Sequence, residues 1–528
     1  QKELLEYLEN QLDYSGPKLV RNSAGTTLSS WNDTEGNTRQ IRVLTWIEGR
    51  LWDDVNPQLP PLRKSLGALC GRLTIALQNF DHPEAHRAFE WDIAQSLWTK
   101  EHLALFTEDE KLLITYFQSL FEANYGNYTA LRKQVVHNDA NSHNSLVSNS
   151  LINPKAIGLI DYGDAVHTQI INDVAIATAY AMMGHEDPLE AAKDVVAGYH
   201  NSFPLLEIEL EHLYAAIAMR MLITITQSAI NKLKEPDNEY LLISEKPAWD
   251  SLRKWRSVDK DFACNTFRSA CGFEPHPTND AFVQWTENQQ HSLSSLFPTI
   301  NKETIYHLDL SVGSDWVGHQ TDYNDLDLFQ FKIEKLQKKV PDSIIAGGYM
   351  EPRALYTSDA YDKRGNSGME SRSIHLGIDF WLPAGTPVHA LFDGKVITAV
   401  NDKGDKEYGG LIILKHQEDG ITFFTLYGHL NPKQVVAIEL GTTISKGEKI
   451  AELGNYPENG NWAPHLHFQL MLSLFSYTDD FPGVAYLKQL DIWKSCCPDP
   501  NLLFKIPSLQ PEVSSSKEEM LTFRNEHL

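Results

Sequence analysis

Three histidine-bearing segments, far apart in the chain, constrain its fold most, because they must converge if they act together. They are His375-Leu376-Gly377-Ile378-Asp379, Tyr427-Gly428-His429-Leu430 and His465-Leu466-His467. Each lies in a β-prone run, with turn-forming residues such as Asp393-Gly394 between the runs. Side chains two positions apart on a strand point to one face, roughly 6.5–7 Å apart. We therefore expect His465 and His467 to reach one small centre.

His375 and Asp379 also share a strand face, but in a fully extended strand they would lie roughly 13 Å apart. Gly377 between them permits the bend or bulge that brings them together. Imidazoles with one carboxylate suit a catalytic zinc site, which has three N/O protein ligands and an open position for water. A lone strand histidine is usually a surface or satisfied core residue. The joint occurrence of the three segments favours a metal site, on a half-buried strand over 466–470.

Residues 344–506 resemble the M23, or lysostaphin/LytM-like, zinc metallopeptidases. The matching pieces are HLGID, PAGTPVHALFDGKV, YGHL and APHLHF, in the order of that family. The resemblance implies a small antiparallel β fold in which His375, Asp379 and His467 bind Zn²⁺. It also implies that His465 is the general base for the metal-bound water, and that His429 orients this water or stabilises the oxyanion. Residues 454–462 depart from the family's glycine-rich lead-in, so the substrate preference stays open.

Residues 1–275 have a mostly helical pattern, with two motifs on connecting loops. The motifs are His137-Asn138-Asp139-Ala140-Asn141-Ser142-His143-Asn144 and Ile160-Asp161-Tyr162-Gly163-Asp164. One aspartate can accept the proton of an attacking hydroxyl, while the asparagine and the second aspartate hold Mg²⁺ against nucleotide phosphates. An aspartate after an apolar run is commonly a turn or cap residue. The two motifs together favour phosphoryl transfer.

This half resembles the aminoglycoside-phosphotransferase and hydroxylysine-kinase-like branch of the kinase fold. The resemblance implies that Asp139 is the catalytic base, that Asn144 and Asp161 bind Mg²⁺, and that His137 and Asp173 support the loop. It implies an ATP-binding hinge formed by Leu44, Thr45, Trp46 and Ile47. The only lysines before the hinge are Lys2 and Lys18, and neither lies in a strand like that of the kinase lysine. We therefore expect that most of the N-terminal lobe is missing and that this chain binds ATP poorly.

The organisation predicted for the 528 residues is multidomain α+β, a mostly helical kinase-like C-lobe followed by a small antiparallel β metallopeptidase domain. The predicted boundaries are 1–275 for the kinase-like domain, 276–343 for an ordered connector, 344–506 for the M23-like domain and 507–528 for a polar tail. Helical periodicity predicts helices near 62–80, 101–123, 170–183, 188–200, 207–231 and 325–339. A short β-like stretch covers 40–47, and another covers 305–310.

Charge and composition narrow the partners. The net charge of −24 argues against nucleic acid and anionic membranes, because phosphates would be repelled. No apolar run approaches the ~20 residues of a membrane helix. Five scattered cysteines without a CxxC pair favour a reducing compartment. No signal peptide opens the chain, which begins inside a helical pattern, and we predict a cytoplasmic location.

Three functions are consistent with these motifs. The leading hypothesis is a zinc metalloendopeptidase acting on a peptide or peptidoglycan-like substrate, fused to a small-molecule kinase-like domain. The second is an ATP-dependent kinase of an amino alcohol or hydroxy-amino acid, with the M23 domain accessory. The third is a non-catalytic LytM-like binding module. Such kinase-like and M23 modules occur in long polypeptides that continue into a PLP-dependent class III aminotransferase domain, so the resemblance implies such a domain downstream.

Overall fold

The computed structural model describes residues 1–11, 14–235, 238, 243–314, 316, 319, 321–356 and 358–509. It divides into two compact units, residues 1–273 and residues 274–528. Each unit has its own buried apolar core, the first centred on helices and the second on a large sheet. The multidomain α+β class predicted from the sequence is confirmed.

The first unit is mainly helical. Its α-helices are α1 Lys2–Leu8, α2 Pro60–Leu77, α3 Glu108–Ala123, α4 Tyr125–Thr129, α5 Ile171–Ala181, α6 Pro188–Ser202, α7 Glu207–Lys234, α8 Glu245–Arg256 and α9 Lys260–Ala270. Its strands are β1 Leu19–Val20, β2 Ser29–Asn32, β3 Thr38–Ile41, β4 Val43–Leu44, β5 Arg50–Leu51, β6 Lys133–Val136, β7 Ser145–Val147, β8 Ala156–Leu159 and β9 Val166–Gln169. These strands form small antiparallel groups that carry the two motif loops.

Most of the predicted helices of this unit are present, but the run predicted at 101–123 is two elements. A 3₁₀ segment covers Ile93–Leu105, and α3 begins only after Thr107. Thr107 and Glu110 form a capping box, in which each side chain binds the backbone N–H of the other residue. The box satisfies amide groups at the new helix start and separates the two segments. The predicted β-like stretch at 40–47 is also divided, between β3 and β4.

Helix α7 is the central core helix of the first unit. By length and apolar composition it could cross a membrane, which the sequence reading did not anticipate. Its most apolar stretch is 89% buried inside the unit. Surrounding helices such as α3, α5 and α8 pack against it, and this burial is typical of a core helix.

The second unit contains a large sheet flanked by short helices. Its α-helices are α10 Asn279–Thr286, α11 Leu293–Leu296, α12 Thr321–Asn324, α13 Leu326–Lys339, α14 Pro432–Val435, α15 Leu490–Cys496 and α16 Asn501–Phe504. Its strands are β10 Thr304–His307, β11 Ser343–Gly347, β12 Asp362–Gly365, β13 Gly368–His375, β14 Ile378–Trp381, β15 Pro387–His389, β16 Gly394–Asp402, β17 Gly409–Glu418, β18 Ile421–Leu430, β19 Thr443–Ile444, β20 Lys449–Glu452, β21 Leu466–Met471 and β22 Val484–Tyr486.

The main sheet has eight strands in the order β10-β11-β14-β21-β18-β17-β16-β19. Its pairs are antiparallel except β10 with β11, which are parallel. β10 comes from the segment predicted as a connector, so this segment adds an edge strand to the sheet. The strand pairs within the predicted M23-like segment are antiparallel, as the sequence predicts, and the one parallel pair of the sheet is made by this added edge strand.

Strand β21 is central and carries the HxH motif at its start. The sequence predicts a half-buried strand here, but all six residues of β21 are buried. Leu466, Phe468 and Leu470 face the apolar core, while His467 and Gln469, on the opposite face, contact other polar groups of the protein. The alternation of apolar and polar residues predicted the two faces of the strand correctly, but the polar face is buried beside a cavity and is not exposed to solvent.

The polar tail predicted at 507–528 falls largely outside the described residues. Its first residues, Pro507–Leu509, form a short 3₁₀ turn, and Leu509 is buried against the second core. The predictions for 510–528 concern residues outside the described part of the chain.

Candidate metal centre and phosphotransfer site

Three acceptor atoms converge in the second unit, at the ends of neighbouring strands. Nε2 of His375 lies 2.9 Å from Nδ1 of His467 and 3.3 Å from Oδ1 of Asp379. Nδ1 of His467 lies 3.2 Å from the same carboxylate oxygen. Asp379 on β14 is directly opposite His467 on β21, so the sheet register fixes this pair. All three side chains are at least 97% buried.

Hydrogen bonds on the outer side of each ring orient the two imidazoles. Nδ1 of His375 donates to the carbonyl oxygen of Gly348 at 3.0 Å. Nε2 of His467 donates to Oε1 of Gln469 at 2.9 Å, because the Gln469 amide nitrogen is directed at the Pro482 carbonyl. In the neutral tautomers assigned from these partners, both inner nitrogens carry lone pairs. Two lone pairs and a carboxylate oxygen then face each other without a proton between them. A Zn²⁺ ion fits this donor set.

Gly377 makes the convergence possible. β13 ends at His375 and β14 begins at Ile378, so the chain turns between the two ligands. A Cβ at Gly377 would lie 2.7 Å from both Cε1 of His467 and the carbonyl oxygen of Phe468. The glycine is therefore required for close approach of the chain to the second ligand strand, in addition to the bend that the sequence indicates.

Arg353 occupies the outer side of the Asp379 carboxylate. Its Nη1 donates to Oδ2 of Asp379 at 2.6 Å, and its Nε donates to Glu351 at 2.6 Å. Burial alone would raise the pKa of Asp379, but neighbouring groups, the Arg353 guanidinium among them, outweigh it and hold this pKa well below its usual value. The arginine leaves Oδ1 free to face the imidazoles. Sequence reasoning missed Arg353, which lies outside the regular strands and carries no periodic signal.

His465 and His429 lie beside the ligand set and not within it. Nε2 of His465 is 3.7 Å from Oδ1 of Asp379, and its Nδ1 donates to the carbonyl of Ala463 at 2.7 Å. Nδ1 of His429 donates to the carbonyl of Asn459 at 3.0 Å, and the two rings are 4.3 Å apart. Burial lowers the pKa of His465 to about 4 and that of His429 well below its usual value. Both imidazoles are therefore neutral, with Nε2 able to accept a proton.

The five residues surround a cavity of about 290 Å³. Aromatic side chains make up much of its wall, and the predicted connector contributes to it. The aromatic wall residues are Tyr323, Phe329, Tyr356, Tyr361, Trp381, Tyr408, Trp462 and Phe481. Tyr408 is 92% buried, and its hydroxyl has no hydrogen-bond partner among the described residues. The cavity is large enough for part of a peptide.

In the first unit, the motif at residues 137–144 forms one hydrogen-bonded group around Asp139. Nδ2 of Asn144 donates to Oδ2 of Asp139 at 2.6 Å, and Nη2 of Arg220 donates to Oδ1 at 2.7 Å. Burial raises the pKa of Asp139 to about 6, although the Arg220 charge opposes this. Arg220 lies on α7, some eighty positions from the loop in sequence. Its contact with Asp139 was not foreseen from the sequence.

The other loop residues support this group. Nδ1 of His137 accepts from the Asp139 backbone, and its Nε2 donates to the carbonyl of Ile160. The carboxylate of Asp173, at the start of α5, accepts from the backbone N–H groups of His137 and Asn138. Asp161 has a left-handed backbone conformation (φ 58°), and its carboxylate accepts from the Gly163 backbone. These contacts hold the two motif loops beside each other.

The predicted hinge residues lie on the surface of the first unit. Leu44 is in β4, which pairs with β1, and Thr45 exchanges hydrogen bonds with Lys18. Trp46 is 86% exposed, whereas Ile47 is half-buried beside Gly158. Their part in ATP binding stays a prediction.

Comparison with known proteins finds a separate match within each of the two units. Residues 373–476 match the model of peptidase family M23, and residues 1–210 match that of the phosphotransferase enzyme family. Hydroxylysine kinase from Mus musculus is 25% identical over 226 residues, covering 40% of this chain and 60% of the kinase. Lysostaphin from Staphylococcus staphylolyticus is 32% identical over 135 residues, covering 25% of this chain and 26% of that protein. The chain therefore spans only part of the length of these relatives.

Solved structures also match parts of the chain. The catalytic domain of lysostaphin from Staphylococcus simulans is 30% identical, with 21% of this chain and 77% of that chain covered and a TM-score of 0.16. The amicoumacin kinase hAmiN is 17% identical, with 48% of this chain and 76% of that chain covered and a TM-score of 0.37.

Proposed function

We propose that this chain, which carries an M23 peptidase domain behind a phosphotransferase-family domain, hydrolyses peptide bonds with zinc. The observation that carries the proposal is the convergence of His375 Nε2, His467 Nδ1 and Asp379 Oδ1 within 3.3 Å of one another. A zinc ion held by these atoms would polarise the carbonyl group of the peptide bond and would lower the pKa of a water molecule bound to it. The aromatic cavity positions the peptide against this centre.

The two neighbouring histidines, His465 and His429, act on the attacking water. Nε2 of His465 is a free acceptor in a neutral ring, so it takes the proton of the attacking water as general base. Nε2 of His429 is also an acceptor, which supports a role in orienting that water. His429 donates to the carbonyl oxygen of the substrate only after it has gained a proton. Arg353 keeps the Asp379 carboxylate turned so that one oxygen faces the centre.

Zinc content and peptide hydrolysis test this proposal together. We expect one zinc per purified chain, strong loss of zinc in H467A, and retention of zinc with loss of hydrolysis in H465A. His389→Ala is a matched control, because His389 lies in the same unit outside the cavity-lining residues. Stoichiometric zinc in H467A would overturn the ligand assignment. Full zinc without hydrolysis of any peptide tested, including oligoglycine, would favour the non-catalytic binding module.

For the first unit, we propose phosphoryl transfer from ATP to a small hydroxylated amine or amino acid. The grouping of Asp139 and Asn144, with Asp161 on the adjacent loop, favours this second activity. Asp139 would accept the proton of the attacking hydroxyl, while Asn144 and Asp161 would hold Mg²⁺. The similarity to enzymes named hydroxylysine kinase suggests hydroxylysine as the first acceptor to assay.

Magnesium-dependent phosphorylation of hydroxylysine would be measured in the native chain, in D139N and in a control, D109N, at the exposed start of α3. We expect D139N to lose at least a hundredfold in rate and D109N to lose nothing. Equal rates above background in the native chain and D139N, measured at saturating ATP, would refute the assignment. Weak ATP affinity and a cytoplasmic location also stay predictions, as does a downstream PLP-dependent domain.

A further inference from the structure

Lys406 carries an ammonium group that is buried in the wall of the metal-centre cavity. The residue is 6% exposed and has a left-handed backbone (φ 69°). Its Nζ lies 4.1 Å from the ring centroid of Trp462 and donates one hydrogen bond, of 3.3 Å, to the carbonyl of Asn461. Within the described part of the chain, it has no ion pair within 4.0 Å. A buried cation without an anion is costly unless a ligand supplies one.

The other cations of the cavity are differently engaged. Arg353 is paired with both Glu351 and Asp379. The half-buried Arg372 lies over the ring of Tyr361 and donates to the carbonyl of Ala360. Lys406 is therefore the buried cation in the wall that is left for a ligand.

Apart from Asp379, which is paired with Arg353, the acidic residues that line the cavity are influenced by the charge of Arg372. Burial raises the pKa of Glu407 and of Asp480, and the charge of Arg372 acts on both in the opposite direction. Burial lowers the pKa of Lys406, and the charge that opposes this is that of Asp405, an exposed residue outside the cavity wall. An anion bound at Lys406 therefore meets an ammonium group whose acidic neighbour Asp405 is exposed and does not line the cavity.

Trp462 connects this ammonium to the metal centre. The Trp462 ring centroid lies 5.9 Å from that of His429 and 6.3 Å from that of His465. A group bound by Lys406 thus lies one aromatic ring away from the proposed catalytic histidines. Tyr408, two residues along the same segment, adds a buried hydroxyl with no partner among the described residues.

We propose that Lys406 binds a carboxylate of the peptide substrate close to the bond that is cleaved. This inference rests on the proposed peptidase function and narrows its substrates to peptides with an anionic group at that position. The carboxylate is either the C-terminus of the peptide or an acidic side chain. A charge-assisted hydrogen bond in a water-poor site distinguishes such peptides from neutral ones.

Three peptides distinguish these sources: N-acetyl-tetraglycine, its C-terminal amide, and the same amide with aspartate as the last residue. Binding to the zinc-loaded full chain is measured by calorimetry in the H465A background, so that hydrolysis does not consume the probes. We expect at least one carboxylate peptide to bind about tenfold more tightly than the neutral amide. In K406M this ratio should fall to about one, and K406R should retain part of it.

Lys403→Met is the matched control, because Lys403 is an exposed lysine of the same loop. The side chain of Lys406 can be changed without loss of its backbone hydrogen bonds to Gly460 and Tyr361. A ratio that survives K406M, that falls equally in K403M, or that is absent in the native lysine background would overturn the proposal. Failure to hydrolyse any peptide with His465 restored would instead count against the peptidase function, whatever the binding ratio.

Discussion

At the scale of single residues, the sequence predicted which side chains meet at the metal centre but not what holds them. The resemblance to the M23 peptidases implied His375, Asp379 and His467 as the ligand set, and these three side chains lie together in the structure. The partners of their outer atoms come from separate places, the carbonyl of Gly348, the guanidinium of Arg353 and the amide of Gln469. A carbonyl or an irregular loop leaves no periodic trace. Gln469 could have been found, because it lies two positions after His467 on the same strand face.

Gln469 is expected to control the metal affinity through His467. Replacement by methionine removes the acceptor for the Nε2 proton of His467, so the ring loses the partner that directs its lone pair inward. We expect Q469M to bind zinc about 10–100-fold more weakly, as measured by competition with a chelator. Q469E keeps an acceptor and serves as the control. Unchanged zinc affinity in Q469M would show that the strand alone orients the ring.

His465 is expected to remain neutral at a pH where ordinary histidines are charged. Burial lowers its pKa to about 4, so it gains a proton only below that pH and stays a competent base above it. The pKa of His465 is lower in the folded protein than the ~6.5 of an unfolded histidine. The unfolded chain therefore binds the proton first, so the free energy of unfolding is unaffected by this group above pH ~6.5 and decreases as the pH falls toward 4. NMR titration of the ring should show no change between pH 8 and about 5. Titration near 6.5, as expected in denaturant, would contradict this.

At the scale of elements, the β-prone runs predicted at the histidine motifs are strands of the second unit, but how the neighbouring elements pack around them was not predicted. The segment predicted as a connector supplies β10 to the sheet and α13 to the wall behind the site. Phe329 of α13 packs on Trp381 at 5.2 Å, and Trp381 lies 4.3 Å from the ring of His465. Long-range packing of this kind depends on tertiary contacts that local periodicity does not contain. For the same reason β21 is buried on both faces.

Gly377 tests how closely β14 and β21 must approach. In G377A the new Cβ would collide with Cε1 of His467 and the carbonyl of Phe468, and the Asp379–His467 pair would separate. We expect at least tenfold weaker zinc binding and a loss of ~1–3 kcal/mol in the free energy of unfolding.

Gly420→Ala is the control for this prediction. Gly420 has φ 84° in the turn between β17 and β18, and no described atom lies within 4 Å of the place that a Cβ would occupy. Alanine there strains the backbone without a collision. Zinc binding should be retained in G420A even where stability falls. If both variants lose zinc equally, general destabilisation and not strand approach is the cause.

At the scale of the whole molecule, motif order predicted two modules with different chemistry. Composition could not do this, because the charge of −24 and the apolar content describe the chain as a whole. The structure divides after Phe273, and each unit buries a separate apolar core. Separate cores are the physical basis of separate folding units. Ligands that bind one unit should therefore stabilise that unit alone.

Zinc provides the test of this independence. We expect two calorimetric unfolding transitions, of which only that of residues 274–528 rises when zinc is added, because the ligands His375, Asp379 and His467 all belong to this unit. Free zinc at a hundred times its dissociation constant adds ~2.7 kcal/mol, which raises the midpoint by roughly 5–10 °C for a unit of this size. H467A should keep both transitions and lose the shift. A shift of both transitions with zinc, or a single merged transition, would mean that the two cores unfold as one.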